Sequence, residues 1–438
     1  MSLAVRLVAM LQIACLCVAS ACAQTSGALA GKWDLTATFA NGSSSSEMTL
    51  TEANGAVEGS SGPLDENRYF RLTLKGAVSG GVAKLEAARG SSPVGTLSLS
   101  VRNGALTGTG VLYGVPVTLS GARPQAAAQA PVIHEFKPTT FVLQYSSRNA
   151  PALRVRPGDT VKTFTLDNEG RDAQLKYRGM PGNTLTGPIW VEGAMPGDTL
   201  VVRLNSVQLN RDTAEMTSSA LDGRALLPGM PQTRSPGWNK TWVLDRARGV
   251  ARPQTPTDKL AGLELPLKPM IGSIGVAPMM NQALMAGDVA FHGGNMDYDR
   301  VAAGATLYFP VWQAGAMLSL GDGHALQGDG EISGQGLETS LDVGFTVDLI
   351  KGDALQQVWL EDEESVMVTG IENGLDASLQ RATTGMSQWL KKRYGLNDSE
   401  IALLLSASIE YDIAEIVDPR PHVVARIAKS TLAMLKPL

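Results

Sequence analysis

The sequence predicts an α+β protein that is predominantly β, and three observations support this fold class. Residues 30–123 alternate apolar and polar side chains between Gly or Asn turns, with the period of two that half-buried strands produce. Residues 132–350 contain repeated Gly-Asp turns, each followed by another alternating segment. Residues 374–435 change to apolar side chains at helical spacing, which predicts helices at the carboxyl end.

Length and composition fit a chain with more than one domain and a sizeable core. The chain has 438 residues, so at about 100–200 residues per domain we expect two or three domains. Hydrophobic residues make up 44% and charged residues 18%, which excludes a disordered chain. The net charge of −5 argues against nucleic-acid binding, because a protein that tracks a phosphate backbone needs a basic surface.

The first 23 residues are predicted to form a cleaved export signal. Arg6 precedes an apolar run over about residues 7–18, and residues 21–23 match an A-x-A cleavage pattern. The run is shorter than the ~20 residues of a membrane-spanning helix, and no later stretch of 18 apolar residues follows. We therefore expect a periplasmic or secreted protein without a membrane span. Lipid attachment at Cys22 is an alternative, although residues 19–21 lack the usual Leu.

Cysteine usage excludes two kinds of chemistry from the mature chain. Cys15, Cys17 and Cys22 are the only cysteines, and all three lie within the predicted signal. Cleavage after Ala23 would leave no disulfide to stabilise the protein. It would also leave no thiol nucleophile for nitrilase-like or papain-like hydrolysis.

Residues 24–124 are predicted to form a small all-β accessory module. Its alternating segments suit an antiparallel barrel or sandwich of six to eight strands. The segments are AGKWDLTATF, EMTLTEANGAVEGS, YFRLTLKGAV, VAKLEAARG, VGTLSLSVRNGALTGTG and VPVTLSG. The module contains no histidine, so we expect it to support, bind or target rather than to catalyse. An Ala/Pro-rich linker at 125–131 precedes the predicted catalytic domain, 132–438.

Tight turns are predicted to feed the strands of this second domain. The closest pair is R-P-G-D at 156–159 and M-P-G-D at 195–198, and looser Gly-Asp pairs occur at 287–288 and 352–353. Pro presets φ and Gly allows positive φ, as tight turns require. We interpret the aspartates as residues that cap these turns rather than as catalysts.

Three helices are predicted at the carboxyl end of the chain. Residues 374–395 carry apolar side chains at helical spacing, and residues 398–411 begin with an Asp398/Ser399 cap. Residues 423–435 form the third predicted helix. Helices that follow a long series of strands are typical of the α+β class.

Two of the four histidines lie in Gly-rich segments with many carboxylates. His292 belongs to FHGGNMD, and His324 belongs to GDGHALQGDGE. Residues 301–350 contain no Lys or Arg, so their carboxylates repel one another unless a positive ion neutralises them. Asp322 and His324 are two residues apart, so a strand would place both side chains on one face. The six carboxylates are Asp322, Asp329, Glu331, Glu338, Asp342 and Asp348.

The residues alone leave two interpretations of this segment open. One is a divalent-metal site, because His, Asp and Glu are ligands that a zinc-type ion prefers. The other is a Gly-rich turn cluster with solvated carboxylates, since the spacing is not a standard metal signature. His134 is open between a further ligand and a strand residue, and His422 is interpreted as structural. The sequence contains neither a G-x-S-x-G elbow nor a G-x-x-x-x-G-K-[ST] phosphate loop.

Ordered stretches over about residues 132–430 resemble the acetamidase/formamidase family. The most distinctive are HGGNMD and GATLYFPVWQAGAMLSLGDGHALQGDGEISGQGLETS. The others are PALRVRPGDTV, TGPIWVEGAMPGDTLVV, PMIGSIGVAP, MVTGIENGLDASLQRA and YDIAEIVD. The export signal and the amino-terminal module depart from the usual chain of that family, and residues 204–268 match only loosely.

The resemblance implies hydrolysis of formamide, acetamide or a similar small linear amide to a carboxylate and ammonia. It also implies an acetamidase/formamidase-like β-sandwich or barrel core, homo-oligomers and a divalent metal, with zinc as the first choice. The alternative is a non-catalytic envelope protein that binds a ligand on the same fold. A pure binder would not need the His/Asp/Glu set, which favours the enzyme.

The resemblance further assigns metal ligands among the matched positions. His292, Asp322 and His324 are expected on the metal. Asp167 of FTLDNEG is expected as a fourth ligand. Asp297 is carried over as a motif position without an assigned role.

The remaining matched positions are expected to act on the substrate. Asn295 and Gln327 are expected to hold the amide. Amide hydrolysis needs a carboxylate that takes the proton of water and passes it to the leaving nitrogen, and Glu331 is expected to be this general base. Asp329 or Glu338 is expected to orient it.

Overall fold

The structure, a computed structural model, describes residues 28–40, 42–62, 64, 71–123, 130–233, 240–353 and 356–436. The predicted export signal, with its cleavage and lipidation positions, lies outside the described residues, as does most of the predicted linker. The chain separates into two compact units. The larger comprises residues 125–438 with two short segments, 44–46 and 62–69, and the smaller comprises the rest.

The smaller unit is an eight-stranded antiparallel barrel, which β1 and β8 close by pairing with each other. Its strands are β1 (Gly31–Phe39), β2 (Gly42–Ala53), β3 (Ala56–Ser61), β4 (Leu72–Ser79), β5 (Val82–Arg89), β6 (Ser92–Arg102), β7 (Ala105–Leu112) and β8 (Val115–Ala122). Along β1 the side chains of Trp33, Leu35 and Ala37 are buried, whereas the residues between them are not. The period of two in the sequence therefore reflects one face of each strand turned into the barrel.

The larger unit contains many short strands. In the described residues these are β9 (Ile133–Glu135), β10 (Gln144–Tyr145), β11 (Leu153–Val155), β12 (Thr160–Phe164), β13 (Thr186–Val191), β14 (Thr199–Leu209), β15 (Thr213–Glu215), β16 (Thr241–Asp245), β17 (Val250–Pro253), β18 (Leu265–Pro266), β19 (Met270–Gly275), β20 (Leu284–Met285), β21 (Val289–Ala290), β22 (Gly293–Asn295), β23 (Thr306–Pro310), β24 (Leu318–His324), β25 (Glu338–Thr339), β26 (Leu341–Ile350), β27 (Trp359–Glu361), β28 (Ser365–Ile371), β29 (Glu410–Glu415) and β30 (His422–Ala428).

Most of these strands belong to two large sheets. The first has the order β29-β30-β28-β27-β23-β14-β26-β12-β9. The second has the order β18-β17-β16-β15-β25-β24-β19-β22-β21, with β13 paired to β24 and β11 to β13. Val202 and Phe345 of the first sheet share one buried cluster with Ile274 and Leu320 of the second. The two sheets therefore pack against each other as a sandwich.

The helices pack on the carboxyl-terminal strands of the first sheet. They are α1 (Leu375–Tyr394), α2 (Asp398–Ser408) and α3 (Lys429–Leu432), and 3₁₀ turns occupy Gly223–Ala225, Asp258–Leu260 and Met279–Asn281. Met386 and Trp389 of α1 are buried in one cluster with Val368 of β28 and Ile427 of β30. The predicted fold class, predominantly β with carboxyl-terminal helices, is confirmed. Within the described residues, none of the helices is both long and apolar enough to cross a membrane.

Two details of the predicted helices were wrong. The first six residues of the segment 423–435 belong to the strand β30, and only α3 is helical. Val423, Val424 and Ile427 are β-branched, and β30 has pairing partners on both sides, β28 and β29. The cap of α2 is Asn397, one residue before the predicted cap, and it forms a capping box with Glu400.

The predicted turn-capping role is confirmed for the aspartates of the two Pro-Gly-Asp turns, Asp159 and Asp198. Asp159 accepts hydrogen bonds from the backbone N–H groups of Arg156 (2.9 Å) and Val132 (2.8 Å). Asp198 accepts from those of Met195 (2.9 Å) and Gly352 (3.0 Å). Each carboxylate therefore closes its own turn and also ties the turn to a distant segment.

Candidate functional site

Neighbouring strands of the second sheet bring together side chains that are far apart in sequence. Asp322 and His324 end β24, and His324 is paired directly with Glu338 of β25. Asp297 follows β22, which lies on the other side of β19. At Gly272 of β19 a Cβ atom would lie 2.4 Å from Asp297 Oδ1 and 2.9 Å from Asp322 Oδ2. The close approach of these carboxylates therefore requires glycine at this position.

Four buried side chains converge on one point. His324 Nε2 lies 3.2 Å from Glu338 Oε2, 3.7 Å from Asp322 Oδ1 and 3.9 Å from Asp297 Oδ1. All four side chains are at most 3% exposed. Among the described residues, none of these four atoms has a hydrogen-bond partner. We call Asp297, Asp322, His324 and Glu338 the acidic cluster.

Each member of the acidic cluster is held through its other polar atom. Asn183 Nδ2 donates to Asp322 Oδ2 (2.7 Å), Gln327 Oε1 pairs with His324 Nδ1 (2.8 Å), the Gly336 N–H donates to Glu338 Oε1 (3.1 Å), and Asn295 Nδ2 donates to Asp297 Oδ2. In each side chain one polar atom is therefore hydrogen-bonded and the other is unpaired. Metal ligands are typically oriented in this way.

The hydrogen bonds of Gln327 determine the tautomer of His324. Gln327 Nε2 donates to the backbone carbonyls of Asp297 (2.6 Å) and Ala414 (3.2 Å), so its Oε1 faces His324 as an acceptor. His324 Nδ1 must then carry the proton. In the neutral ring, Nε2 would then present a lone pair to a cation placed among the three carboxylate oxygens, as a metal-binding imidazole does.

Asn295 is fully hydrogen-bonded inside the protein. Its Oδ1 accepts from Ser273 Oγ and from Asn183 Nδ2 (3.0 Å). Its Nδ2 donates to Asp297 and to Asp418 Oδ2 (2.7 Å). Asn295 and Gln327, both expected to hold substrate, thus lie in positions that orient the acidic cluster.

Glu331 adjoins the acidic cluster from a different loop. Glu331, His324 and Glu338 form a second group whose potential ligand atoms all lie within 4.8 Å of one another. Glu331 is only 6% exposed and has a positive φ of 45°, a conformation that is unusual for a glutamate. Burial raises the pKa of Glu331 well above its usual range, Glu338 and Asp322 raise it further, and His324 opposes them.

The electrostatics of the acidic cluster reflect an excess of negative charge. Burial, and then Asp322, raise the pKa of Glu338 to about 7, although His324 opposes this rise. Burial and the neighbouring carboxylates of Glu331 and Asp322 also raise the pKa of Asp297. Burial lowers the pKa of His324, but Glu338 and Asp322 outweigh it and hold that pKa well above its usual value. A bound cation would relieve this repulsion.

Asp167 lies outside the acidic cluster. Its carboxylate forms ion pairs with Arg171 (3.0 Å) and Arg211 (2.8 Å), and it accepts backbone hydrogen bonds from Glu169 and Arg171. Two guanidinium groups neutralise this carboxylate, so its ligand role is not supported. Arg211 also donates to the backbone carbonyl of Glu338 (3.2 Å), so Asp167 braces the strand that carries Glu338.

His292 lies apart from both groups of potential ligands. It is fully buried, and neither ring nitrogen has a hydrogen-bond partner within the part of the chain that the structure describes. Its ring packs edge-on against Tyr145, with centroids 4.9 Å apart. Burial lowers the pKa of His292 to about 3, with a smaller contribution from Arg420. The imidazole is therefore neutral.

The remaining predicted positions are scattered. Asp329 and Asp342 are exposed, and Asp348 is only partly buried, so these three carboxylates do not contribute to the acidic cluster. His134 is a strand residue whose Nε2 lies 2.9 Å from Asp159 Oδ2. His422 is buried beside the backbone carbonyl of Met296 (2.7 Å), in agreement with a structural role.

The sequence interpretation missed several residues around the site. Asn183 contacts its side chains but belongs to no recognisable motif, whereas Ser273 lies in the matched stretch PMIGSIGVAP. Asp418 and Glu415 lie in YDIAEIVD, one of the matched stretches, which was a signal for their importance. Burial, and then the charge of Asp418, raise the pKa of Glu415 to about 8. Burial and the charge of Asp322 raise the pKa of Asp418 to about 6, although the hydrogen bond from Asn295 opposes this rise.

Comparisons with known proteins find one family. The model of the Acetamidase/Formamidase family matches residues 288–431, which include the whole acidic cluster. A formamidase of Methylophilus methylotrophus is 25% identical, over 60% of this chain and 82% of its own length. An acetamidase of Mycolicibacterium smegmatis is 29% identical, over 42% of this chain and 57% of its own length.

Solved structures of the same kind share the fold of about 70% of this chain. A predicted acetamidase/formamidase from Thermoanaerobacter tengcongensis has a TM-score of 0.60 and 30% identity, over 70% of this chain and 99% of its own. An acetamidase from Bacillus halodurans has a TM-score of 0.58 and 28% identity, over 69% of this chain and 99% of its own.

Proposed function

The chain belongs to the acetamidase/formamidase family, and on this premise we propose that it hydrolyses a small linear amide with the aid of a divalent metal ion. The substrate is of the formamide or acetamide type, and the products are a carboxylate and ammonia. Both curated relatives described above carry names of this activity. A non-catalytic ligand-binding protein is less well supported, because it would not need a buried acidic cluster.

The observation that carries the proposal is the set of four unpaired atoms in the acidic cluster. Three carboxylate oxygens and one imidazole nitrogen face one another without partners among the described residues. Leaving such buried groups unpaired is costly, and a divalent cation satisfies all four at once. The proposed ligands are therefore Asp297, Asp322, His324 and Glu338, which replaces Asp167 and His292 of the sequence-based set. Zinc is the first choice of ion.

When bound, a divalent ion supplies a Lewis acid that polarises the amide carbonyl and makes water more acidic. The protein must supply the proton transfers. Glu331, whose carboxylate adjoins His324 and Glu338, takes a proton from the attacking water. It then returns this proton to the nitrogen as the carbon–nitrogen bond breaks, which releases ammonia.

The test combines metal content by mass spectrometry with ammonia release from acetamide. We expect His324→Ala to lose metal and activity together, because it removes the central ligand. Glu331→Gln should keep the metal while turnover falls about 10²–10⁴-fold, since it removes only the base. His134→Asn is the matched control, because this histidine is paired with Asp159 outside the cluster.

Two results would contradict the proposal. If His324→Ala keeps stoichiometric metal and near-normal turnover, the acidic cluster is not the site. If Glu331→Gln loses the metal, Glu331 is a ligand and the base lies elsewhere.

A further inference from the structure

We infer that Tyr145 and His292 form the subsite that binds the substrate amide, and that their neighbours restrict it to primary amides with a short acyl group. The inference rests on the proposed function and adds a substrate-binding site beside the acidic cluster. It is carried by polar atoms that are fully buried and unpaired.

Three buried polar atoms on two touching rings are without partners. Tyr145 is 1% exposed and His292 is fully buried. Neither nitrogen of His292 has a hydrogen-bond partner among the described residues, and the Tyr145 hydroxyl has only the Ser273 hydroxyl nearby, too poorly aligned for a hydrogen bond. A buried phenol or imidazole normally finds a partner, so these atoms point to a ligand that provides one.

Tyr145 lies close to the acidic cluster. After burial itself, Asp322 contributes most to raising the pKa of Tyr145, with a smaller contribution from Asp297 and an opposing one from Ser273. Its Cε1 would lie 3.2 Å from a Cβ at Gly275 of β19, the strand that also carries Gly272. The same Cβ would lie 2.7 Å from the backbone nitrogen of Gly294, so the Tyr145 ring lies beside the residue that precedes Asn295, whose amide donates to Asp297 of the acidic cluster.

The unpaired atoms complement a primary amide. The Tyr145 hydroxyl can donate a hydrogen bond to the carbonyl oxygen. His292 is neutral, so one of its nitrogens is an acceptor that can receive a hydrogen from the NH₂ group. Leu185 and Ala286 are buried in one apolar cluster with Tyr145 and would face the acyl group. This wall suits a hydrogen or methyl substituent better than a longer chain.

A cavity lies next to Phe291, the residue that precedes His292. It has a volume of about 230 Å³ and is lined in part by Ala290, Phe291 and Arg420. The Phe291 ring lies between the rings of His292 and Trp312, at 5.9 Å and 5.5 Å. The Phe291 ring thus lines this cavity and also contacts the His292 ring of the proposed subsite.

The kinetic test uses Tyr145→Phe and His292→Asn with acetamide as substrate. Each variant removes hydrogen bonds to the amide, so we expect KM to rise about 3–10-fold with little change in kcat and with stoichiometric metal. Tyr308→Phe and His134→Asn are the matched controls. Tyr308 bonds Glu361 and His134 bonds Asp159, both outside the site, so their KM should equal that of the wild type.

A binding test does not depend on turnover. The chain has only four histidines, so side-chain ¹⁵N resonances can be assigned by comparing wild type with His292→Asn. Acetamide added to the Glu331→Gln protein should shift the resonance of His292 and leave that of His134 unchanged. Acetate, which has the same size but no NH₂ donor, should shift it less.

Three outcomes would overturn the inference. The subsite is wrong if both variants keep the wild-type KM, or if acetamide does not shift the His292 resonance. It is also wrong if His292→Asn loses the metal, because His292 would then be a ligand. If wild-type protein releases no ammonia from any small amide, the proposed function fails. The shift of His292 in wild-type protein on adding acetamide then supports or refutes the subsite by itself.

Discussion

At the residue scale, amide side chains orient the acidic cluster. The Asn183 amide bridges Asp322 and Asn295, and Asn295 continues the network to Asp297. Neutral amides can donate to one carboxylate while accepting from another group, which a charged side chain cannot do among so many carboxylates. The network therefore holds Asp297 and Asp322 with one oxygen of each directed to the centre.

Removing the Asn183 amide should weaken metal binding without unfolding the protein. Asn183 has a positive φ of 59°, which glycine adopts without strain, so Asn183→Gly removes the donor and leaves the backbone unstrained. We expect metal affinity to fall about 10–100-fold, as for other residues that orient a ligand. Competition with a chelator measures this affinity.

Asn103→Gly is the matched control for this experiment. Asn103 has a similar φ of 50° but lies in the amino-terminal barrel, in the turn between β6 and β7. Its replacement should leave metal affinity unchanged. Equal affinity of Asn183→Gly and wild type would show that the Asn183 amide does not orient Asp322.

At the scale of the element, two Pro-Gly-Asp turns start strands that lie on either side of β26. The Asp159 turn precedes β12 and the Asp198 turn precedes β14, and both strands pair with β26. Because each aspartate satisfies two backbone N–H groups, each turn fixes where its strand enters the first sheet. The repeated sequence thus has a repeated structural role.

Asp159→Asn should lower stability at neutral pH. Burial opposes ionisation of Asp159, but hydrogen bonds from His134, Arg156 and Val132 outweigh burial and lower its pKa below 3.8. The ionised carboxylate therefore stabilises the fold above pH 3.8, and this contribution is lost as pH falls through the lowered pKa. We expect a loss of about 1–3 kcal/mol in the free energy of unfolding at pH 7.

Urea unfolding at pH 7 and at pH 3 tests this expectation. The difference between wild type and Asp159→Asn should be smaller at pH 3. Asp258 is exposed, so Asp258→Asn is the control. Its free energy of unfolding should equal that of the wild type at both pH 7 and pH 3. A difference that stays constant with pH would mean that the charge of Asp159 contributes nothing.

At the scale of the whole molecule, the described residues divide into a closed barrel and a larger unit with the acidic cluster. All proposed ligands and the base lie between residues 297 and 338, within the larger unit. The solved relatives also match about 70% of this chain and nearly all of their own. The barrel is therefore not expected to contribute to the chemistry.

A chain of residues 132–438 should accordingly keep amidase activity without residues 24–125. Ammonia release per bound metal ion should equal that of the longer protein, because no proposed catalytic group is removed. Circular dichroism and metal analysis verify that the shorter protein is folded and loaded. A folded, metal-loaded and inactive product would show that the barrel is needed for catalysis.

Much of the fold and part of the site follow from the sequence. The alternation in β1 and the helical spacing of α1 are local patterns, because backbone geometry repeats over two or over 3.6 residues. Asp322 and His324 are two residues apart on one strand and converge as expected. Asp159 and Asp198 each accept a hydrogen bond from the N–H group three residues earlier. The neighbouring sequence was therefore sufficient to predict their turn-capping role.

Only the tertiary structure decided the rest of the acidic cluster. Sheet pairing sets Glu338 opposite His324 and brings Asn183, 139 residues earlier in the chain, to Asp322. Tertiary contacts also pair the Asp167 carboxylate with the guanidinium groups of two arginines. The segment after His422 forms a strand because it pairs with β28 on one side and with β29 on the other. The physical reason is that sequence periodicity governs neighbours along the chain. Which carboxylate receives a cation partner and which is left unpaired depends on the packing of distant strands.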